Sequence, residues 1–60
     1  MSIDEITFDY DEQLAETDKA FLFEVDGENV WIPKSEIIDH NEEKEQVTIP
    51  MWLAREKGLD

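Results

Sequence analysis

Asp39-His40-Asn41-Glu42-Glu43-Lys44-Glu45 is the stretch whose side chains look best suited to chemistry, since it sets oxygen donors at alternate positions beside the chain's only histidine. A calcium loop of the helix-loop-helix type needs glycine at its sixth position and a bidentate glutamate at its twelfth. Counted from Asp39, those places hold Lys44 and Pro50, so the stretch reads as a solvated charged turn and no metal is expected. General acid or base work by His40 would require a second positioned group in a cleft, and a sheet of this size offers little room for one. His40 is therefore expected to be an exposed loop residue. Ser35 has neither a nearby histidine nor the context of a nucleophile elbow. Glycine-rich phosphate loops are absent, and with no cysteine the chain has neither a disulfide framework nor a thiolate zinc site. The expectation is a protein that is not an enzyme and takes no cofactor.

The carboxylates are a different matter. Seventeen Asp and Glu against five Lys and Arg give a formal charge of −12 on 60 residues. Asp4, Glu5, Asp9, Asp11, Glu12, Glu16 and Asp18 precede the first basic residue, Lys19, whereas Lys34, Lys44, Arg55 and Lys57 all fall later. Such a charge opposes direct binding to nucleic acid or to anionic lipid, both of which carry the same sign, and points to a basic partner. Alternate residues of a strand lie about 6.6 Å apart on one face, about two base-pair rises of a duplex. Rows of carboxylates at that spacing can occupy a groove built for phosphates. Asp9 with Asp11 has it, and so has Glu24, Asp26 and Glu28, although a turn at Gly27 breaks the second row.

These side chains need a frame. A single domain over residues 1–60 is expected, with a small core, because a chain of this length buries only about 60% of its unfolded surface. The 40% hydrophobic content, with Trp31, Trp52, Phe8, Phe21 and Phe23, is too high for a disordered chain. Ile6, Phe8 and Tyr10 alternate with polar residues and predict a strand over 6–10. Residues 11–18 lack a strong period and read as a loop, with a short helical turn around Leu14 as the alternative. A dense run over 19–25, then Asp26-Gly27, then 29–33 predicts a hairpin. Its two-residue register sets Val25 opposite Glu28, Phe23 opposite Val30, Phe21 opposite Ile32 and Leu22 opposite Trp31, with a bulge shifting this by one as the alternative.

Apolar pairs then lie on both faces, so the C-terminal helix is expected to cover the second. Lys34-Ser35-Glu36 predicts one turn, residues 39–45 a solvated loop, and 46–49 a strand with Val47 and Ile49 inward. Pro50 is suited to begin a helix, and Gly58 with Leu59 to close it. The fold class is α+β: a small antiparallel sheet of about four strands with a short C-terminal helix packed on it. Trp31 and Trp52 are expected in the core, packed against each other. The first ten residues lack the basic and apolar regions of a signal peptide, and no apolar run approaches a membrane span, so a protein of the cytoplasm that is not bound to membrane is expected.

At Asp26-Gly27-Glu28-Asn29-Val30-Trp31-Ile32-Pro33-Lys34-Ser35-Glu36-Ile37, and again at Thr48-Ile49-Pro50-Met51-Trp52-Leu53-Ala54 through Gly58-Leu59, the chain resembles small acidic proteins encoded by phages and prophages. The match covers roughly residues 19–59 and falls on turn, core and cap positions. Among such proteins this one looks like the anti-CRISPR proteins that imitate DNA. The resemblance implies a non-enzymatic inhibitor of host CRISPR immunity in the bacterial cytoplasm, a monomer or weak homodimer that fills the basic DNA-binding channel of an effector complex. The expected contact set is Asp9, Asp11, Glu12, Glu16, Asp18, Asp26 and Glu28, with Glu42, Glu43 and Glu45 as a second patch. The alternative is a small β-barrel-like interaction module of phage replication or recombination that grips a peptide or protein through Trp31, Trp52 and nearby apolar surface.

Overall fold

Two three-stranded antiparallel sheets share one hydrophobic core. A computed structural model describes residues 4–59. In chain order the elements are β1 (Glu5–Asp9), β2 (Glu12–Glu16), β3 (Ala20–Val25), β4 (Glu28–Pro33), a 3₁₀ turn (Lys34–Glu36), β5 (Asp39–Asn41), β6 (Gln46–Pro50) and α1 (Met51–Lys57). The strand order is β1-β6-β5 in the first sheet and β2-β3-β4 in the second. The α+β class and the C-terminal helix agree with the sequence pattern, but in place of one sheet of about four strands the described residues form six strands divided between two sheets.

The period-two pattern explains the inner faces. In the first sheet Ile6 lies opposite Ile49 and Phe8 opposite Val47, and in the second Phe23 lies opposite Val30 and Phe21 opposite Ile32. Phe23, Ile32, Val47 and Ile49 are fully enclosed. Each such side chain contributes about 1.5–3 kcal/mol relative to leaving it exposed. Asp26 and Gly27 adopt φ of 51° and 80°, as a two-residue hairpin turn requires, so the hairpin takes the unbulged register.

Residues 12–16 form a strand rather than a loop or helical turn. Gln13 pairs with Phe23 and Ala15 with Leu22, leaving Leu14 as the extra residue of a bulge. That insertion breaks the period and leaves Leu14 exposed. The expected loop at 39–45 likewise begins with β5, which pairs with β6 through Asp39 opposite Thr48 and His40 opposite Val47.

The helix begins at Met51, directly after Pro50, and the Met51 amide donates to the Asp4 carbonyl at 2.9 Å. It is therefore fastened beside β1 and β6, and these are the strands that it contacts most. Leu53 and Ala54 enter the core. Gly58 closes the helix in the left-handed region at φ 75°, the Leu59 amide donates to the Ala54 carbonyl at 2.7 Å, and Leu59 packs on the core.

This placement overturns two expectations. The helix does not cover the second face of the β3–β4 hairpin, and Trp31 and Trp52, expected in the core, are 44% and 56% exposed. A seven-residue helix spans only about 10 Å. Tied to the end of β6, it packs chiefly beside β1 and β6.

Candidate functional site

Three connections meet at one corner of the molecule, and each brings carboxylates. The chain leaves the first sheet after Asp9 and enters the second at Glu12. Between them the Tyr10 amide donates to the Glu45 carbonyl at 2.9 Å, and the Asp11 amide to the Glu24 carbonyl at 2.7 Å. The β1–β2 crossing is thereby pinned to the β5–β6 turn on one side and to β3 on the other. Asp11 Oδ2 also accepts from the Asp26 amide at 3.1 Å, which ties the β3–β4 turn to the same corner. Gln46 Nε2 donates to Asp9 Oδ1 at 2.9 Å.

The turn that carries Glu45 is itself fixed. Its amide reaches the Glu42 carbonyl at 3.3 Å, and Asn41 Oδ1 accepts from the Lys44 amide at 3.1 Å. Glu45 sits at φ 55°, a left-handed conformation that a residue with a Cβ adopts at a cost.

Of the expected contact residues, Asp9, Asp11, Asp26 and Glu45 are fastened at this corner, with Glu12 and Glu28 on the adjoining strand ends and Glu42 and Glu43 in the β5–β6 turn. Apart from Glu16 and Asp18, the two patches expected separately from the sequence meet at this corner. Glu24, opposite Glu12 across the sheet, belongs with them although it was left out of the expected set. Its strand spacing from Asp26 and Glu28 was the sequence signal, and the strand pairing adds its place opposite Glu12. The rows themselves take another form: β1 ends at Asp9 and the chain bends at Asp11, so these two carboxylates do not extend along one strand.

Glu16 and Asp18 lie elsewhere. Glu16 is at the far end of β2, in an ion pair with Lys34, and Asp18 borders an open depression lined by Lys19, Pro33, Lys34 and Ser35. Lys34 Nζ also lies 4.8 Å from the Phe21 ring centroid. Acidic charge at that end is partly matched by base.

His40 is not the exposed loop residue its sequence context suggests. It is half-buried on β5, facing Tyr10, Phe21 and Phe23 with ring centroids 5.8, 5.1 and 5.5 Å away. Its Nε2 shares a 3.0 Å hydrogen bond with the Tyr10 hydroxyl. Burial raises the Tyr10 pKa above the usual phenol value, and the charges of Glu42 and Glu45 add to the effect. The histidine thus links the two sheets beneath the acidic corner. Among the described residues, no group of three or more His, Cys, Asp or Glu is arranged to hold a metal ion, and no helix is long and apolar enough to cross a membrane.

Frame and surface together define a small acidic two-sheet α+β domain with a hydrogen-bonded carboxylate corner. Compared with protein-family models, curated proteins and solved structures, the chain finds no significant match.

Proposed function

We propose that this protein is a non-enzymatic inhibitor that binds a basic nucleic-acid-binding surface of another protein and excludes the nucleic acid from it. The carboxylate corner carries the reading. Hydrogen bonds between three separate connections fix the backbone that carries these carboxylates, so a phosphate-binding groove meets a frame already in place and less ordering is left to occur on binding. The resemblance to small phage-encoded proteins makes CRISPR effector complexes of the bacterial cytoplasm the partners to test, with this protein acting as a monomer or weak homodimer.

The experiment is a gel shift in which increasing protein competes with target duplex for a panel of effector complexes at two salt concentrations. Displacement that weakens with salt is the expected result. Reversal of Glu12, Glu28, Glu42 and Glu43 to lysine should abolish it. These positions avoid Asp9 and Asp11, whose carboxylates accept hydrogen bonds that hold the corner together. Reversal of Glu16 and Asp18 should have little effect. Equal displacement by both sets of variants, or none by the folded wild type, would overturn the proposal.

A second reading has an observation of its own. The exposure of Trp31 and Trp52 favours an interaction module, serving phage replication or recombination, that grips a partner segment through its surface tryptophans.

A further inference from the structure

β4 is an outer strand of the second sheet, and its register shows which of its backbone groups lack a strand partner. A two-residue turn makes Val25 and Glu28 the pair that closes the hairpin by exchanging both hydrogen bonds. Hydrogen-bonded and open pairs then alternate, so Phe23/Val30 and Phe21/Ile32 are bonded while Glu24/Asn29 and Leu22/Trp31 are not. The Lys34 amide, donating to the Lys19 carbonyl at 2.7 Å one position beyond Ala20/Pro33, fits this alternation. Asn29 and Trp31 therefore turn their N–H and C=O groups away from β3, toward the open edge. Pro33 has no N–H and ends the edge.

Side chains on the outer face of the same sheet fall into two ranks across the strands. Ala15, Leu22 and Trp31 form an apolar rank, and Glu12, Glu24 and Asn29 form a polar one with two carboxylates. The ranks are one strand repeat apart, about 6.6 Å. The apolar rank runs to the open edge and stops at Trp31, which is 44% exposed.

We propose that the β4 edge is a strand-addition site for an extended segment of a basic protein, which pairs antiparallel with Asn29 and Trp31. The guest residue opposite Trp31 is apolar and extends the rank of Ala15, Leu22 and Trp31. The guest residue two positions along, opposite Asn29, is lysine or arginine and reaches over Asn29 toward Glu24. Main-chain hydrogen bonds supply the pairing and the two ranks supply the selectivity. A second copy of this chain is a poor guest, because each copy carries a formal charge of −12. The site rests on the second reading, that surface tryptophans grip a partner segment, and it gives that segment a conformation and a residue pattern.

The test uses the wild-type protein with isotopically labelled backbone amides and a capped heptapeptide with lysine, leucine and lysine at its second, fourth and sixth positions and threonine elsewhere. The expected result is shifts at the Asn29 and Trp31 amides, with slowed hydrogen exchange at both. N-methylation of the leucine amide, which removes the donor to the Trp31 carbonyl while retaining every charge, should weaken binding at least tenfold. Glutamate in place of both lysines should remove binding altogether. If the N-methylated peptide binds as tightly and still shifts the Trp31 indole, the tryptophan grips without strand addition: the site falls and the second reading stands. If no peptide shifts the Trp31 or Trp52 indole or these amides, both fall.

Discussion

Replacing Tyr10 by Phe separates one hydrogen bond from the packing around it. The ring, 94% of whose residue surface is shielded, keeps its place against Phe23 at a centroid distance of 4.4 Å, and only the hydroxyl that meets His40 Nε2 at 3.0 Å is lost. A neutral hydrogen bond contributes about 0.5–1.5 kcal/mol net, and a buried partner left unsatisfied costs about 1–3 kcal/mol. His40 is half-buried, so water can replace part of what the phenol supplied, and the expected loss is about 1 kcal/mol. For a domain of this size that lowers Tm by about 4–8 °C.

The same substitution changes the alkaline limb. Burial, reinforced by Glu42 and Glu45, raises the folded-state pKa of Tyr10 above its ordinary value of 10.0. The folded chain therefore holds the phenolic proton more tightly than the unfolded chain does. The resulting stabilisation is fully present below pH 10.0 and is lost as pH rises through the folded-state value. Every other ionisable group is common to both proteins and cancels in the difference. Thermal melts followed by circular dichroism from about pH 8 to about pH 11 should show the gap between wild type and Tyr10→Phe closing above pH 10.0. Equal melting temperatures at neutral pH, or a gap that stays constant across the range, would refute the role assigned to this hydroxyl.

Glu45→Asn should raise stability by about 0.5–1 kcal/mol, measured by urea denaturation, because asparagine tolerates φ 55° better than glutamate and one charge leaves the corner. A loss of stability would show that the Glu45 carboxylate contributes more to the fold than its backbone costs. Raising ionic strength from about 0.01 to 0.15 M shortens the screening length from about 30 to 8 Å, so Tm should rise as repulsion among the uncompensated carboxylates weakens. A fall in Tm would mean that attractive pairs such as Glu16 with Lys34 outweigh that repulsion.

Local chemistry made part of this molecule legible in its residues. Asp26-Gly27 supplies two positive φ angles in succession, and once that turn is chosen every pair of the β3–β4 hairpin follows. The helix end is as local, since Gly58 and Leu59 close it within a few residues of Ala54. Alternation placed Phe8, Phe23, Val47 and Ile49 inward because a pleated strand presents every second side chain to the same face. The acidic character of the surface needed only counting.

Other features depend on residues far apart in the chain. β2 was hidden because the Leu14 bulge interrupts its period, and β5 because three residues are too short to show one. Period two sets Trp31 on the outer face of its sheet, but whether that face is covered depends on where the helix lands, and the Met51–Asp4 bond secures it beside β1. His40 entered an aromatic cluster because β5 pairs with β6, which turns it toward Tyr10 and Phe23. The carboxylate corner arose the same way: Asp11, Asp26 and Glu45 are distant in the chain and meet through hydrogen bonds that exist only when both sheets have formed. Sequence by itself determined the Asp26-Gly27 turn, the helix cap at Gly58 and the alternating strand residues that form the core. Tertiary structure decided which charges and aromatics share a surface, because pairing between strands acts over distances along the chain that no local pattern encodes.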